Sequence, residues 1–195
     1  TAGVDFLVAH SLLPLVSDSA LIDELERFPE LFQTAYLNKM RAKLGLQTEQ
    51  KGDDELVADM FTALQSRKVD FTLFFRRLAD VGNVHGEALP EDLMALFHGP
   101  TESFHAWIGR YRGRLRAENS DAAERKMRMN AANPLYVLRN YLLEQAIALA
   151  KNGDFREIER LHRCLQNPFE EKQEFADFAE TPPDWAGQIC VSCSS

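Results

Sequence analysis

Cysteine, long apolar runs and excess positive charge are all scarce in this sequence of 195 residues. The three cysteines, Cys164, Cys190 and Cys193, are too few for the disulfide framework of a small secreted domain. The longest uncharged stretch near the start, residues 6–17, is too short to span a bilayer as a helix, and no basic segment of the signal-peptide type precedes it. We therefore expect a cytoplasmic protein with no membrane partner.

The charge balance disfavours nucleic acid as a partner. The chain has 22 Lys and Arg against 30 Asp and Glu, a net charge of −8, whereas neutralising phosphates requires clustered cations. One segment, residues 110–116, does carry four arginines and a tyrosine. On a helix they form two pairs that flank an apolar stripe, Arg112 with Arg116 and Arg110 with Arg114. This pattern favours a solvated amphipathic helix, and binding of RNA or DNA through residues 110–128 remains the less favoured alternative.

The apolar pattern predicts an all-α fold. Hydrophobic residues make up 45% of the chain and charged residues 27%, which excludes a disordered polypeptide. Apolar residues recur at helical spacing almost throughout, and short polar residues, Gly and Pro punctuate them. We expect a helical domain over residues 1–167, followed by an acidic linker and a cysteine-bearing tail over residues 168–195.

Three helix boundaries are specific enough to test. Pro29 is a favourable first-turn residue, so it is expected to begin a second helix after the one opened by Asp18 or Ser19. Asn133-Pro134 is expected to start a helix that carries Leu135, Leu138, Leu142, Ala146 and Leu149. Asp154 and Glu157 have the spacing of a capping box.

The sequence contains no complete catalytic constellation. The five histidines are dispersed, and no zinc-protease, P-loop or dinucleotide-binding motif is present. Cys190 and Cys193 have C-x-x-C spacing, which can close a redox disulfide or supply half of a zinc site, although two further zinc ligands are not evident. Two incidental tail cysteines are the alternative. We therefore predict redox roles for Cys193 and Cys190, and no catalytic, cofactor-binding or metal-binding residue in this chain.

Several short motifs, taken in order, resemble one family. They are Met40-Arg41-Ala42-Lys43-Leu44-Gly45-Leu46, Asp70-Phe71-Thr72-Leu73-Phe74-Phe75-Arg76, Tyr111-Arg112-Gly113-Arg114-Leu115, Asn133-Pro134-Leu135-Tyr136-Val137-Leu138-Arg139-Asn140, Asn167-Pro168-Phe169, Pro182-Pro183-Asp184-Trp185-Ala186 and Val191-Ser192-Cys193-Ser194-Ser195. The ordered set is similar to the C-terminal part of the selenoprotein O (SelO/YdiU) family, from about residue 12 to the last residue.

The resemblance implies a pseudokinase that transfers AMP from ATP to Ser, Thr or Tyr hydroxyls of proteins, using Mg²⁺ or Mn²⁺. The family's nucleotide-binding, metal-binding and catalytic residues precede the matched part. This chain would then be the C-terminal helical portion of a kinase-like large lobe, non-catalytic by itself, with the upstream catalytic region and protein substrates as partners. A free-standing helical interaction module without enzymatic activity is the alternative.

The resemblance also gives Cys193 a role. Cys193 matches the position that is selenocysteine in some family members, and the family's tail thiol is proposed to form a disulfide with an upstream cysteine near the activation loop. The resemblance thus implies that Cys193 is a redox latch. A local pair between Cys190 and Cys193 is a separate expectation from their spacing.

Overall fold

The computed structural model describes residues 18–65, 69–83 and 86–189, and the regular structure in these ranges is helical. No strand occurs among them, so the predicted all-α class is confirmed. Two 3₁₀ helices, Gln173–Ala179 and Asp184–Gln188, follow the last α-helix. The α-helices are α1 Asp18–Lys43, α2 Asp53–Gln65, α3 Phe71–Leu78, α4 Glu91–Met94, α5 Glu102–Ala117, α6 Ala122–Ala132, α7 Asn140–Ala150 and α8 Arg156–Gln166.

The chain divides into two compact units, residues 1–40 and residues 41–195. Most of α1 belongs to the first unit. The predicted helix boundary at Pro29 is wrong, because α1 continues through this proline. Proline removes one backbone donor but has a helical φ, and ring contacts one turn apart link the segment around it. The ring centroids of Phe28 and Phe32 are 5.9 Å apart, and those of Phe32 and Tyr36 are 6.2 Å apart.

Aromatic side chains on α5 form the centre of the second unit. Phe104, Trp107 and Tyr111 lie on one helical face, with centroid distances of 5.9 Å and 5.1 Å between successive rings. Both polar tips are satisfied, because Trp107 Nε1 donates to Leu56 O and Tyr111 Oη donates to Leu44 O, each at 2.8 Å. The apolar stripe predicted from the spacing of these residues is confirmed.

A smaller core holds the end of the described chain, and we call it the C-terminal core. It joins α7, α8 and the first 3₁₀ helix, and Ala186 and Ile189 lie against it. Phe175 packs edge-on against Tyr136, with the ring centroids 6.1 Å apart. Its buried members are Tyr136, Tyr141, Leu142, Ala146, Leu161, Cys164, Phe175 and Phe178. The division of the chain at residue 167 remains a prediction.

The predicted helix start at Asn133-Pro134 is wrong, because α7 begins at Asn140. The backbone N–H groups of Leu135 and Tyr136 both donate to Pro168 O, at 2.8 and 3.1 Å. These long-range bonds attach the non-helical residues 134–139 to the residues that follow α8.

The predicted capping box is also wrong. The helix α8 begins at Arg156. Asp154 Oδ1 accepts from the backbone N–H of Arg156 at 3.2 Å, whereas a capping box requires it to accept from the backbone N–H of Glu157.

Candidate functional site

Polar side chains from three motif segments, residues 40–46, 70–76 and 133–140, contact one another within the second unit, and we call them the motif cluster. Its members are Lys43, Asp70, Arg76, Asn133 and Arg139. Each lies in one of the segments that carried the family resemblance. The contacts described below show that these segments bind one another.

Asn133 ties the end of α1 to the end of α6. Its Nδ2 donates to Lys43 O and to Met129 O, both at 2.9 Å, and its Oδ1 accepts from Lys43 Nζ at 2.8 Å. The Lys43 ammonium also lies 4.6 Å from the centroid of Phe75. Burial lowers the pKa of Lys43 from its ordinary value.

Asp70 joins the start of α3 to the segment before α7. Its Oδ1 accepts from Leu73 N at 2.9 Å, which caps the helix, and its carboxylate pairs with Arg139. Burial alone would raise the pKa of Asp70, but the hydrogen bonds from Arg139 and from backbone N–H groups outweigh it, so the pKa lies below its usual value.

Arg76 is bound by carbonyl groups. Its Nη1 donates to Asn130 O and Asn133 O, both at 3.3 Å, and to Phe169 O at 3.4 Å. Burial lowers the pKa of this guanidinium from its ordinary value. Arg76 therefore connects α3, α6 and the segment after α8.

A second polar group, the Arg114 cluster, consists of Thr48, Asp53, Arg114 and Glu118. Arg114 donates to Asp53 Oδ1 at 2.7 Å, to Glu118 Oε1 at 2.8 Å and to Thr48 O at 2.6 Å. Only 9% of its side chain is exposed. Burial alone would lower the pKa of Arg114, but its hydrogen bonds to the two carboxylates raise it overall.

The expectation that the arginines of residues 110–116 are solvated is correct for Arg110 and wrong for Arg112 and Arg114. Arg110 pairs with Asp59 at 2.7 Å at the surface. Arg112 is buried and donates to Gly82 O at 3.1 Å and Glu87 O at 2.8 Å. Arg125 is also buried and donates to Val81 O. The guanidiniums of Arg112 and Arg125 thus bind backbone carbonyl groups in the loop that follows α3.

A comparison with protein families decides which family these segments come from. The model described as "Protein adenylyltransferase SelO" matches residues 6–166. The chain belongs to the SelO family.

Curated relatives of this SelO-family chain carry the name protein nucleotidyltransferase YdiU. The relative from Pseudomonas paraeruginosa (strain DSM 24068 / PA7) is 43% identical over 191 residues, which cover 96% of this chain and 38% of the relative. The relative from Herminiimonas arsenicoxydans is 44% identical over 194 residues, which cover 97% and 38%. The relative from Burkholderia cenocepacia (strain HI2424) is 43% identical over 205 residues, which cover 97% and 39%. The chain spans about two fifths of the length of these relatives.

The SelO-family chain has one thiol within its described ranges. Cys164 is buried in the C-terminal core, and burial raises its pKa to about 11, so the thiol is protonated and unreactive at neutral pH. His162, two residues earlier on α8, is exposed. The predicted redox residues Cys190 and Cys193 lie outside the described residues. Ile189, the last described residue, packs against the C-terminal core.

The metal-ligating side chains in the described part of this SelO-family chain are dispersed. Within residues 18–65, 69–83 and 86–189, no three His, Cys, Asp or Glu side chains are grouped so that they could bind a metal ion. The carboxylates of Asp53, Asp70 and Glu118 are each bound by an arginine. In the same ranges no helix has the length and apolar character needed to cross a bilayer.

Proposed function

We propose that this chain is the C-terminal helical part of an enzyme that transfers AMP from ATP to Ser, Thr or Tyr hydroxyls of proteins. The observation that carries the proposal is the family match over residues 6–166, together with relatives of which this chain spans only 38–39%. The ordered motifs support it, because contacts of the motif cluster join four of them, residues 40–46, 70–76, 133–140 and 167–169.

In such a reaction a hydroxyl oxygen attacks the α-phosphorus of ATP, and pyrophosphate leaves. We propose that no residue of this chain takes part in that step. ATP and Mg²⁺ or Mn²⁺ would therefore bind in the part of the protein that the relatives have and this chain does not span. That kinase-like region would be this chain's partner, within a cytoplasmic protein.

The role proposed for this chain is to support the catalytic region and to hold the tail thiol. The motif cluster and the Arg114 cluster hold α1, α2, α3, α5 and α6 to their neighbouring segments through buried polar contacts. The C-terminal core anchors Ile189, after which the segment with Cys190 and Cys193 begins. We propose that Cys193 forms the redox latch, and that Cys190 is its local alternative partner.

AMP transfer measured with and without reductant tests this function in the complete polypeptide. We expect the wild type to transfer labelled AMP to protein and to change its rate with reductant, because oxidation closes the latch. Cys193→Ser should remove the dependence on reductant. Cys164→Ser is the matched control, since Cys164 is buried and its thiol is protonated. Dependence on reductant that persists in Cys193→Ser would contradict the latch, and absence of AMP transfer would contradict the activity.

A free-standing helical interaction module is the second candidate. One observation favours it: the polar side chains of the motif cluster bind each other and the backbone. The intact mass of the native polypeptide distinguishes the candidates. A mass corresponding to 195 residues supports the module, and a much larger mass supports the enzyme.

A further inference from the structure

The first unit carries a row of large apolar side chains at its surface, and we call it the α1 stripe. Its members are Ile22, Leu25, Phe28, Phe32 and Tyr36. The first four are exposed, and Phe28 has the largest exposed fraction, at 60%. Scattered exposed apolar residues are ordinary, whereas a contiguous exposed row indicates a surface that binds another protein surface.

Helix geometry places these five residues on one side of α1. At 3.6 residues per turn they fall within about 120° of the helix circumference. The ring contacts between Phe28, Phe32 and Tyr36 show that this face is continuous over two turns. The α1 stripe therefore has the width and regularity of a helix face that packs into an apolar groove.

Charge limits what can cover the α1 stripe. Between residues 22 and 36 the charged residues of α1 are Asp23, Glu24, Glu26 and Glu30, with a single arginine, Arg27. Helical spacing places Glu24 and Glu26 beside the α1 stripe, one on each side. Two copies paired through the stripe would bring these carboxylates together, and like charges at an interface cost free energy. A partner groove with Lys and Arg at its rim would complement them.

The relatives indicate where such a groove lies. The family match begins at residue 6, before α1, so α1 belongs to the part that the relatives share. The larger part of each relative's length lies outside this chain. Resting on the function proposed above, we propose that the α1 stripe docks into an apolar, basic-rimmed groove on the kinase-like region of the same polypeptide.

Photo-cross-linking in the complete polypeptide tests this docking site. Benzoylphenylalanine is introduced at position 28 in the α1 stripe and, as the control, at position 34, where Thr34 is exposed on the opposite side. We expect position 28 to cross-link to a peptide outside residues 1–195 of the same molecule, with at least a tenfold lower yield from position 34. Phe28→Asp should lower the melting temperature by several degrees, and Thr34→Asp should leave it unchanged.

Three results would overturn the docking proposal. They are a cross-link to a second copy, detected by mixing isotope-labelled and unlabelled protein, a cross-link confined to residues 1–195, and no cross-link from position 28. AMP transfer is measured on the same wild-type preparation, so the two proposals fail separately. A polypeptide that transfers AMP without the expected cross-link overturns the docking alone. A native polypeptide of only 195 residues contradicts both.

Discussion

Asp70 combines two tasks that are usually given to different residues. It caps α3 through Leu73 N and pairs with Arg139 across 69 positions of sequence. The pKa of Asp70 is lower in the folded protein than its ordinary value of 3.8. A group with a depressed folded pKa stabilises the fold above its unfolded pKa, and this contribution is lost as the pH falls through the folded pKa.

We therefore expect Asp70→Asn to lower the free energy of unfolding by about 1–3 kcal/mol at pH 7, because asparagine still caps a helix but leaves Arg139 without a carboxylate. The difference from wild type should shrink as the pH falls below about 4. Urea unfolding at pH 7 and pH 3 measures both effects. Asp121→Asn is the matched control, since Asp121 caps α6 through Glu124 N at 2.9 Å and has no guanidinium partner among the described residues. Equal losses in both variants would contradict the prediction.

The helix cap formed by Asp70 could be predicted from the sequence, whereas its ion pair with Arg139 could not. An Asp immediately before an apolar helical run signals a helix start, and α3 begins directly after Asp70. Nothing local to Asp70 identifies Arg139, because their contact depends on how distant segments pack. Arg114 gives a second example. Helical spacing correctly places it beside the apolar stripe of α5, but its burial depends on the distant Asp53 and on Glu118, to which it donates.

Among the helices, α7 shows how a regular apolar spacing can mislead. Leu135, Leu138 and Leu142 continue into the helix at spacings of three and four residues, yet only the part from Asn140 onward is helical. The backbone bonds to Pro168 O attach this segment to the residues after α8, and sequence periodicity carries no information on such contacts. Leu138 consequently has 48% of its surface exposed, whereas Leu142 is buried.

This difference gives a prediction for two neighbouring leucines. Leu142→Ala should lower the free energy of unfolding by about 2–4 kcal/mol, because it leaves a cavity in the C-terminal core. Leu138→Ala should cost less than about 1 kcal/mol, as is typical of exposed positions. Chemical denaturation of the two variants beside the wild type measures the difference. Similar large losses in both would mean that residues 134–139 form a buried helix after all.

At the scale of the whole molecule, the segment after α8 contributes buried side chains to the C-terminal core. Residues 170–180 are rich in acids, and two aromatic residues among them, Phe175 and Phe178, are buried in the same core as Cys164. Two aromatic residues that are three positions apart can be read from the sequence, but the surface they bury against cannot.

Cys164 reports on this packing. Phe175→Ala should raise the rate at which a thiol reagent labels Cys164 by at least tenfold, because the truncation opens the C-terminal core above a thiol that is otherwise buried. The measurement uses a background with Cys190→Ser and Cys193→Ser, and mass mapping of the labelled peptides assigns the label to Cys164, the one cysteine left within residues 1–195. Phe169→Ala is the control, since Phe169 is exposed, and it should leave the rate unchanged. Equal labelling rates in the two variants would contradict this account.

The anchored Ile189 sets a length scale for the proposed latch. Cys193 is four positions further along the chain, so an extended chain carries the Cys193 Cα at most about 14 Å from the Ile189 Cα. The Cα atoms of disulfide-bonded cysteines are themselves about 6 Å apart. Any cysteine that pairs with Cys193 must therefore come within a sphere of about 20 Å around Ile189. The position of Ile189 in the C-terminal core therefore limits which cysteines can form a disulfide with Cys193.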